Sequence, residues 1–158
     1  MRRICLIVVM VALAVPAAAS ASDRAAGDGS LGVSAASGTV VIHGRGVIYG
    51  HFDQGTLLVL DYRPDEPASV PAISNVKARA NRGSATYTGS DVRFLLPSGR
   101  YTIELIATDI DASAVGKGSV VATGAGTPDD GTVTVNGGTP LQLSKVATSE
   151  NFGTGKGS

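Results

Sequence analysis

The sequence predicts an all-β fold: an antiparallel β-sandwich or partly closed barrel of about nine short strands. Three observations carry that expectation. Apolar and polar residues alternate with period two over several stretches, turn residues punctuate those stretches, and no segment sustains a helical period. The composition agrees, with 21 Gly and 7 Pro in 158 residues. Val, Thr, Ala and Ser are plentiful and Lys, Glu and Leu are scarce, which suits short strands better than long helices.

The N-terminus reads as a leader. Arg2 and Arg3 precede an unbroken apolar run over residues 4–15, and Ala19 and Ala21 frame a small-residue cleavage site. That is the three-part pattern of a secretory signal peptide. The run is shorter than the roughly 20 residues a spanning helix needs, so no retained membrane span is expected. Cleavage near Ala21 places the protein outside the cell or in the cell envelope. The expected organisation is a signal peptide over residues 1–21, a flexible lead-in over 22–30, a β-sandwich domain over 31–146 and a disordered tail over 147–158. Cys5, the one cysteine, leaves with the leader, so neither a disulfide nor thiol chemistry is expected.

Without Arg2 and Arg3 the chain keeps 11 basic and 13 acidic side chains, a formal net charge of −2. No basic stripe is visible along the chain, so nucleic acid is not an expected partner.

The organising stretch is residues 38–62, read as three antiparallel strands. Asp53-Gln54-Gly55 looks like a three-residue hairpin loop with its glycine in the left-handed position. That loop pairs Phe52 with Thr56, Tyr49 with Val59 and Ile48 with Leu60. At Gly44-Arg45-Gly46 a two-residue and a three-residue loop compete. The three-residue loop unites the apolar side chains, and a one-residue slip would swap the faces. Val40, Ile42, Ile48, Phe52, Leu58 and Leu60 are then the expected core. The opposite face carries Val41, His43, Tyr49, His51, Leu57 and Val59, and these six are the candidate interaction face. So many apolar side chains need either coverage by the chain itself or a partner.

Further along, residues 63–67 read as a Pro-containing loop and 70–76 as an edge strand interrupted by Pro71. Lys77, Arg79 and Arg82 form a small basic cluster suited to a solvated edge. Residues 91–108 read as a second hairpin around Pro97-Ser98-Gly99-Arg100, with Leu96 opposite Tyr101 and Arg93 opposite Glu104. Residues 109–117 read as a connection with a capped helical turn, and 118–123 as a strand. A loop with a solvated Asp129-Asp130 pair follows, then a closing hairpin around Asn136-Gly137-Gly138. The stretches Gly44-Arg45-Gly46 and Gly116-Lys117-Gly118 share a Gly-basic-Gly beat without establishing a duplication.

Two stretches carry a resemblance: D-V-R-F-L-L-P-S-G-R-Y-T-I-E-L-I-A-T-D-I-D-A-S-A-V-G-K-G at 91–118 and G-T-V-V-I-H-G-R-G-V-I-Y-G-H-F-D-Q-G at 38–55. Together they resemble small, uncharacterised secreted proteins of high-GC bacteria, in which a signal peptide precedes one β-rich domain. The resemblance covers roughly residues 38–138 and rests on turn and strand signatures. It implies a secreted β-domain and brings no activity and no binding residues with it.

Chemistry-bearing motifs are sparse. In the favoured register His43 and His51 share a face but lie on the order of 13 Å apart, too far for one zinc with its ~2 Å bonds. Asp109-x-Asp111-x-Ser113 begins like a calcium loop, but Ala114 stands at the sixth position and Val120 at the twelfth. There is no G-x-S-x-G elbow and no phosphate-binding loop. Glu66, Glu104 and Glu150 are not arranged as a glycosidase pair. No catalytic, cofactor-binding or metal residue is therefore nominated, and no cofactor is expected. Tyr49 is the one ring exposed enough to stack on a sugar. The sequence reads best as a secreted, non-enzymatic β-domain with a structural, adhesive or protein-interaction role, its partner a protein or a cell-envelope component. The alternative is a small extracellular hydrolase or a glycan-binding or glycan-active protein. The oligomeric state is not legible.

Overall fold

The computed structural model describes residues 28–61, 72–97 and 99–153. The leader, most of the lead-in, the loop at 63–67 and the last five residues lie outside them. The described chain is all-β and antiparallel: β1 (Gly29–Asp61), β2 (Ala72–Ile73), β3 (Val76–Asn81), β4 (Ser84–Leu96), β5 (Arg100–Gly124), β6 (Thr132–Val135), β7 (Leu141–Gln142) and β8 (Thr148–Phe152). No helix among the described residues is long and apolar enough to cross a membrane.

The strands are not uniformly short. β1 runs for 33 residues and β5 for 25. Both bend repeatedly and so contribute to two layers. In the first layer the order is β3, residues 84–90, 54–61, 101–108, 38–45 and 117–124, then β8. In the second it is β2, residues 92–96, 46–52, 110–116 and 29–36, then β6 and β7. Strands that turn a corner from one sheet into the other are the device by which sandwiches close their ends. The hydrogen-bonded path still ends in edge strands, so the sheet does not close into a barrel.

The expected hairpins at 44–46 and 53–55 do not form. Residues 38–51 and 54–61 pair with β5 instead: Val47 lies opposite Val115, and Leu57 opposite Leu105. The Pro97 turn likewise joins strands that do not pair with each other. Arg93 lies level with His51, while Glu104 lies level with Val41 and Leu58. Residues 109–117 are strand rather than a helical turn. The hairpin at Asn136-Gly137 does form, with both residues at positive φ and Gly138 N–H donating to Val135 O at 2.8 Å. The tail expectation is corrected over Thr148–Phe152, which pair with β5 and bury Phe152. The fold thus spans Gly29 to Phe152 rather than residues 31–146.

The corners are of two kinds. At one, β1 and β5 bend side by side at Gly46 and Gly116, directly paired, with φ of 136° and 150°. A Cβ on either would sit 2.1 Å from a backbone oxygen of the other strand, so only glycine fits. At the other, β4, β1 and β5 bend together. Flanking pairs on both sides bring Asp53 level with Asp91 and Asp109. Asp91 and Asp109 adopt φ of 50° and 51°, a left-handed conformation that aspartate tolerates better than most residues.

The two kinds differ in what they do to side-chain alternation. Across the glycine corner the inward set keeps step: Val40, Ile42, Ile48 and Phe52 are all buried. Across the aspartate corner the step changes. Phe52 is followed by Leu57 and Val59, Tyr87 by Val92, and Ala107 by Ile110. This corrects half of the expected core. Leu57 is 0% and Val59 2% exposed, whereas Leu60 is 41% exposed and Leu58 only half-buried. The two layers enclose one apolar cluster, in which the Phe52 and Phe94 rings meet at a tilt of 47° with centroids 6.4 Å apart.

Candidate functional site

The six residues of the candidate interaction face do not share a face. Leu57 and Val59 belong to the core. Val41 and His43 lie on the outer face of the first layer, and Tyr49 and His51 on the outer face of the second. His43 and His51 are therefore on different sheets, not merely far apart on one.

Tyr49 and His51 sit over the more featured surface. Their strand is flanked by residues 92–96 and 110–116, so Tyr49 lies between Leu95 and Ser113, and His51 between Arg93 and Asp111. One strand further out, Gly32 lies opposite Ser113 and Thr134 opposite Gly32. A Cβ at Gly32 would meet nothing within 4 Å, so that position leaves the surface open. The result is an open groove of about 610 Å³, lined by Tyr49, His51, Arg93, Asp111, Ser113 and Thr134 among others. Tyr49 is 55% exposed. The groove thus offers one exposed aromatic ring, one cation, one carboxylate, the hydroxyls of Ser34, Ser113 and Thr134, and an imidazole.

The His51 imidazole is held by the aspartate corner. Its Nε2 lies 3.1 Å from Asp91 Oδ1 and 3.8 Å from Asp53 Oδ1. The Asp91 backbone is tied in turn by Asn75 Nδ2, which donates to its carbonyl at 2.8 Å, while Asp111 accepts from the Ala35 N–H at 3.0 Å. An imidazole against a carboxylate is two-thirds of a nucleophilic triad. Among the described residues no serine or threonine hydroxyl bonds to His51. No group of three or more His, Asp or Glu side chains is disposed to hold a metal ion among the described residues. Asp109 and Asp111 fall on a strand, which removes the loop a calcium site would need.

Asp130 was expected in a solvated turn and is fully buried. It accepts from the Thr127 hydroxyl at 2.6 Å and from the N–H groups of Thr127 and Gly126 at 2.9 and 2.6 Å. The Thr127 hydroxyl, aided by these backbone donors, holds its carboxyl below the usual aspartate range against the opposing effect of burial. All these partners lie in its own loop, so its role is to fold that loop beside Ser37, whose N–H donates to the Asp130 carbonyl. Burial pushes the Tyr101 phenol up, which keeps it protonated and out of acid–base chemistry near neutrality.

Sequence reading missed one constellation. Along the chain no basic stripe is visible, yet Arg45 pairs with Arg100 on one side and Lys117 on the other. The two Gly-basic-Gly beats face each other across the glycine corner, Gly44 opposite Gly118 and Gly46 opposite Gly116. Their shared pattern was the available signal, and it marks a strand pair. No family model matches the chain, no curated protein is similar to it in sequence, and no solved structure matches its fold.

Proposed function

We propose that this chain is a non-enzymatic binding domain that takes a hydroxyl-rich ligand, a glycan segment, in the groove around Tyr49. It works outside the cell, the compartment to which the N-terminal segment points. The observation that carries the reading is the exposed Tyr49 ring amid hydrogen-bonding side chains from three strands. A ring supplies an apolar face for a sugar's C–H surface, and a few polar groups fix orientation, which is the usual economy of small-ligand sites. Arg93, Asp111, Ser113 and Thr134 supply both donors and acceptors. The groove is open rather than enclosed, which suits a segment of a longer chain.

Affinity electrophoresis or calorimetry against a panel of soluble and cell-wall polysaccharides tests this. One or more glycans should bind, Tyr49→Ala should weaken binding at least 10-fold, and Tyr49→Phe should retain most of it. Failure of every glycan, or equal binding by Tyr49→Ala, overturns the proposal.

A further inference from the structure

The basic row at the glycine corner carries a second, independent inference. Arg45, Arg100 and Lys117 stand abreast on adjacent strands, and directly paired residues of antiparallel strands point to the same face. Like charges placed directly opposite each other destabilise a sheet. Here the middle strand has a cation on both sides, in a chain whose formal charge is close to balance. Arg100 and Lys117 each have a further partner as well, so what the row offers a ligand is its summed charge and not idle side chains.

The next row inward adds donors. His43 lies between Thr102 and Ser119, and its Nδ1 shares a 2.9 Å hydrogen bond with the Thr102 hydroxyl. Glycines 44 and 118 flank the cations without side chains of their own, leaving a recess of about 410 Å³ with His43, Arg45, Arg100 and Lys117 on its walls. By register, Asp61 lies opposite Tyr101, one residue from Arg100, and Glu104 lies four residues from Arg100, on the order of 13 Å away.

We infer that this recess binds a phosphate group carried by a soluble or polymeric ligand. Three cations and the His43 imidazole on its walls call for an anion with more than one charge and several acceptor oxygens. A phosphate monoester carries about −1.5 to −2 and three such oxygens, more than a carboxylate offers.

Amide and side-chain NMR shifts on titration with inorganic phosphate and with short-chain polyphosphate test the inference. Shifts should concentrate at residues 43–46, 100–102 and 117–119, and polyphosphate should bind at least 10-fold more tightly than phosphate. Arg45→Ala and Lys117→Ala should each weaken polyphosphate binding at least 5-fold with no fall in melting temperature. Lys77→Ala with Arg79→Ala, on the far edge, should change it less than 2-fold. Absence of shifts, shifts spread over all cations, or equal loss in the β3 variant overturns the proposal. So does binding to vesicles of anionic phospholipid without binding to polyphosphate, which would assign the strip to a membrane surface. Because Tyr49 plays no part here, these outcomes leave the glycan reading untouched.

Discussion

The glycine corner and the aspartate corner do the same mechanical job with opposite chemistry. Both turn β1 and β5 from one layer into the other. The glycine corner does so by removing side chains from two paired positions, so that backbones approach closely and the inward alternation keeps step. The aspartate corner does so with residues in the left-handed region on β4 and β5, and the inward set of all three strands shifts by one. Charge follows the same division. Three aspartates stand level at one corner with an imidazole between two of them, and three cations stand level at the other. Bending without a change of step preserves a sequence's alternation, whereas bending with one hides it. That difference decides which parts of the fold a reader of the sequence can see.

The largest test of the change of step is Leu57 against Leu60. With the shift, Leu57 faces the core, and Leu57→Ala should cost about 2–5 kcal/mol in urea unfolding. Leu60→Ala, on the outer face, should stay within roughly 0.5–1 kcal/mol. Equal costs, or the reverse order, would mean that the alternation runs through residue 53 without a break.

Legibility follows from this case. The alternation over residues 40–52 identified four core side chains correctly, because the glycine corner leaves parity intact. The same rule carried past Asp53 mistook Leu58 and Leu60 for core. Nothing in Asp53-Gln54-Gly55 separates a hairpin loop from a bend, since both need turn residues. What separates them is where the partner strand comes from, and β5 lies some 50 residues on. The all-β antiparallel class and the Asn136-Gly137 hairpin were legible because they rest on local signals. Tyr49 was legible as an exposed ring. Its groove was not, because Arg93, Asp111 and Thr134 reach it only through long-range pairing. The basic row was invisible for the same reason.

The second test compares the two corners directly. Gly116→Ala places a Cβ 2.1 Å from the Arg45 carbonyl oxygen at a φ of 150°, and neither backbone has room to yield. A cost of roughly 2–4 kcal/mol is expected from strain and overpacking. Asp109→Gly keeps the left-handed conformation and removes its strain, so its urea midpoint should move by no more than about 1 kcal/mol in either direction. If both variants lose stability equally, the corners are not distinguished by backbone conformation.

Asp130 occupies a third position, beside the paired Gly38 and Gly124. This aspartate is satisfied by its own loop, unlike the three at the corner. Its folded carboxyl titrates below the unfolded value of about 3.9. Its contribution to stability is therefore fully present above that value and is lost as pH falls through the lower folded one. Asp130→Asn should unfold at lower urea than the parent at pH 7, and the two should converge in acid. Parallel pH profiles would mean that the charge contributes nothing beyond the hydrogen bonds.

The smallest effects test the charge rows, and their signs should oppose. At the aspartate corner His51 bonds one carboxylate and lies near a second, so His51→Gln removes a favourable contact and should cost about 0.2–1 kcal/mol. At the glycine corner Arg45 lies between two cations, so Arg45→Gln removes repulsion and should stabilise the protein by a few tenths of a kcal/mol at low salt. The Debye length is about 3 Å at 1 M salt, and there the gain from Arg45→Gln should vanish. A gain that survives high salt would have to come from packing. A loss on Arg45→Gln at low salt would show that the row is already neutralised by the other partners of Arg100 and Lys117. Phosphate binding would then require those partners to be displaced.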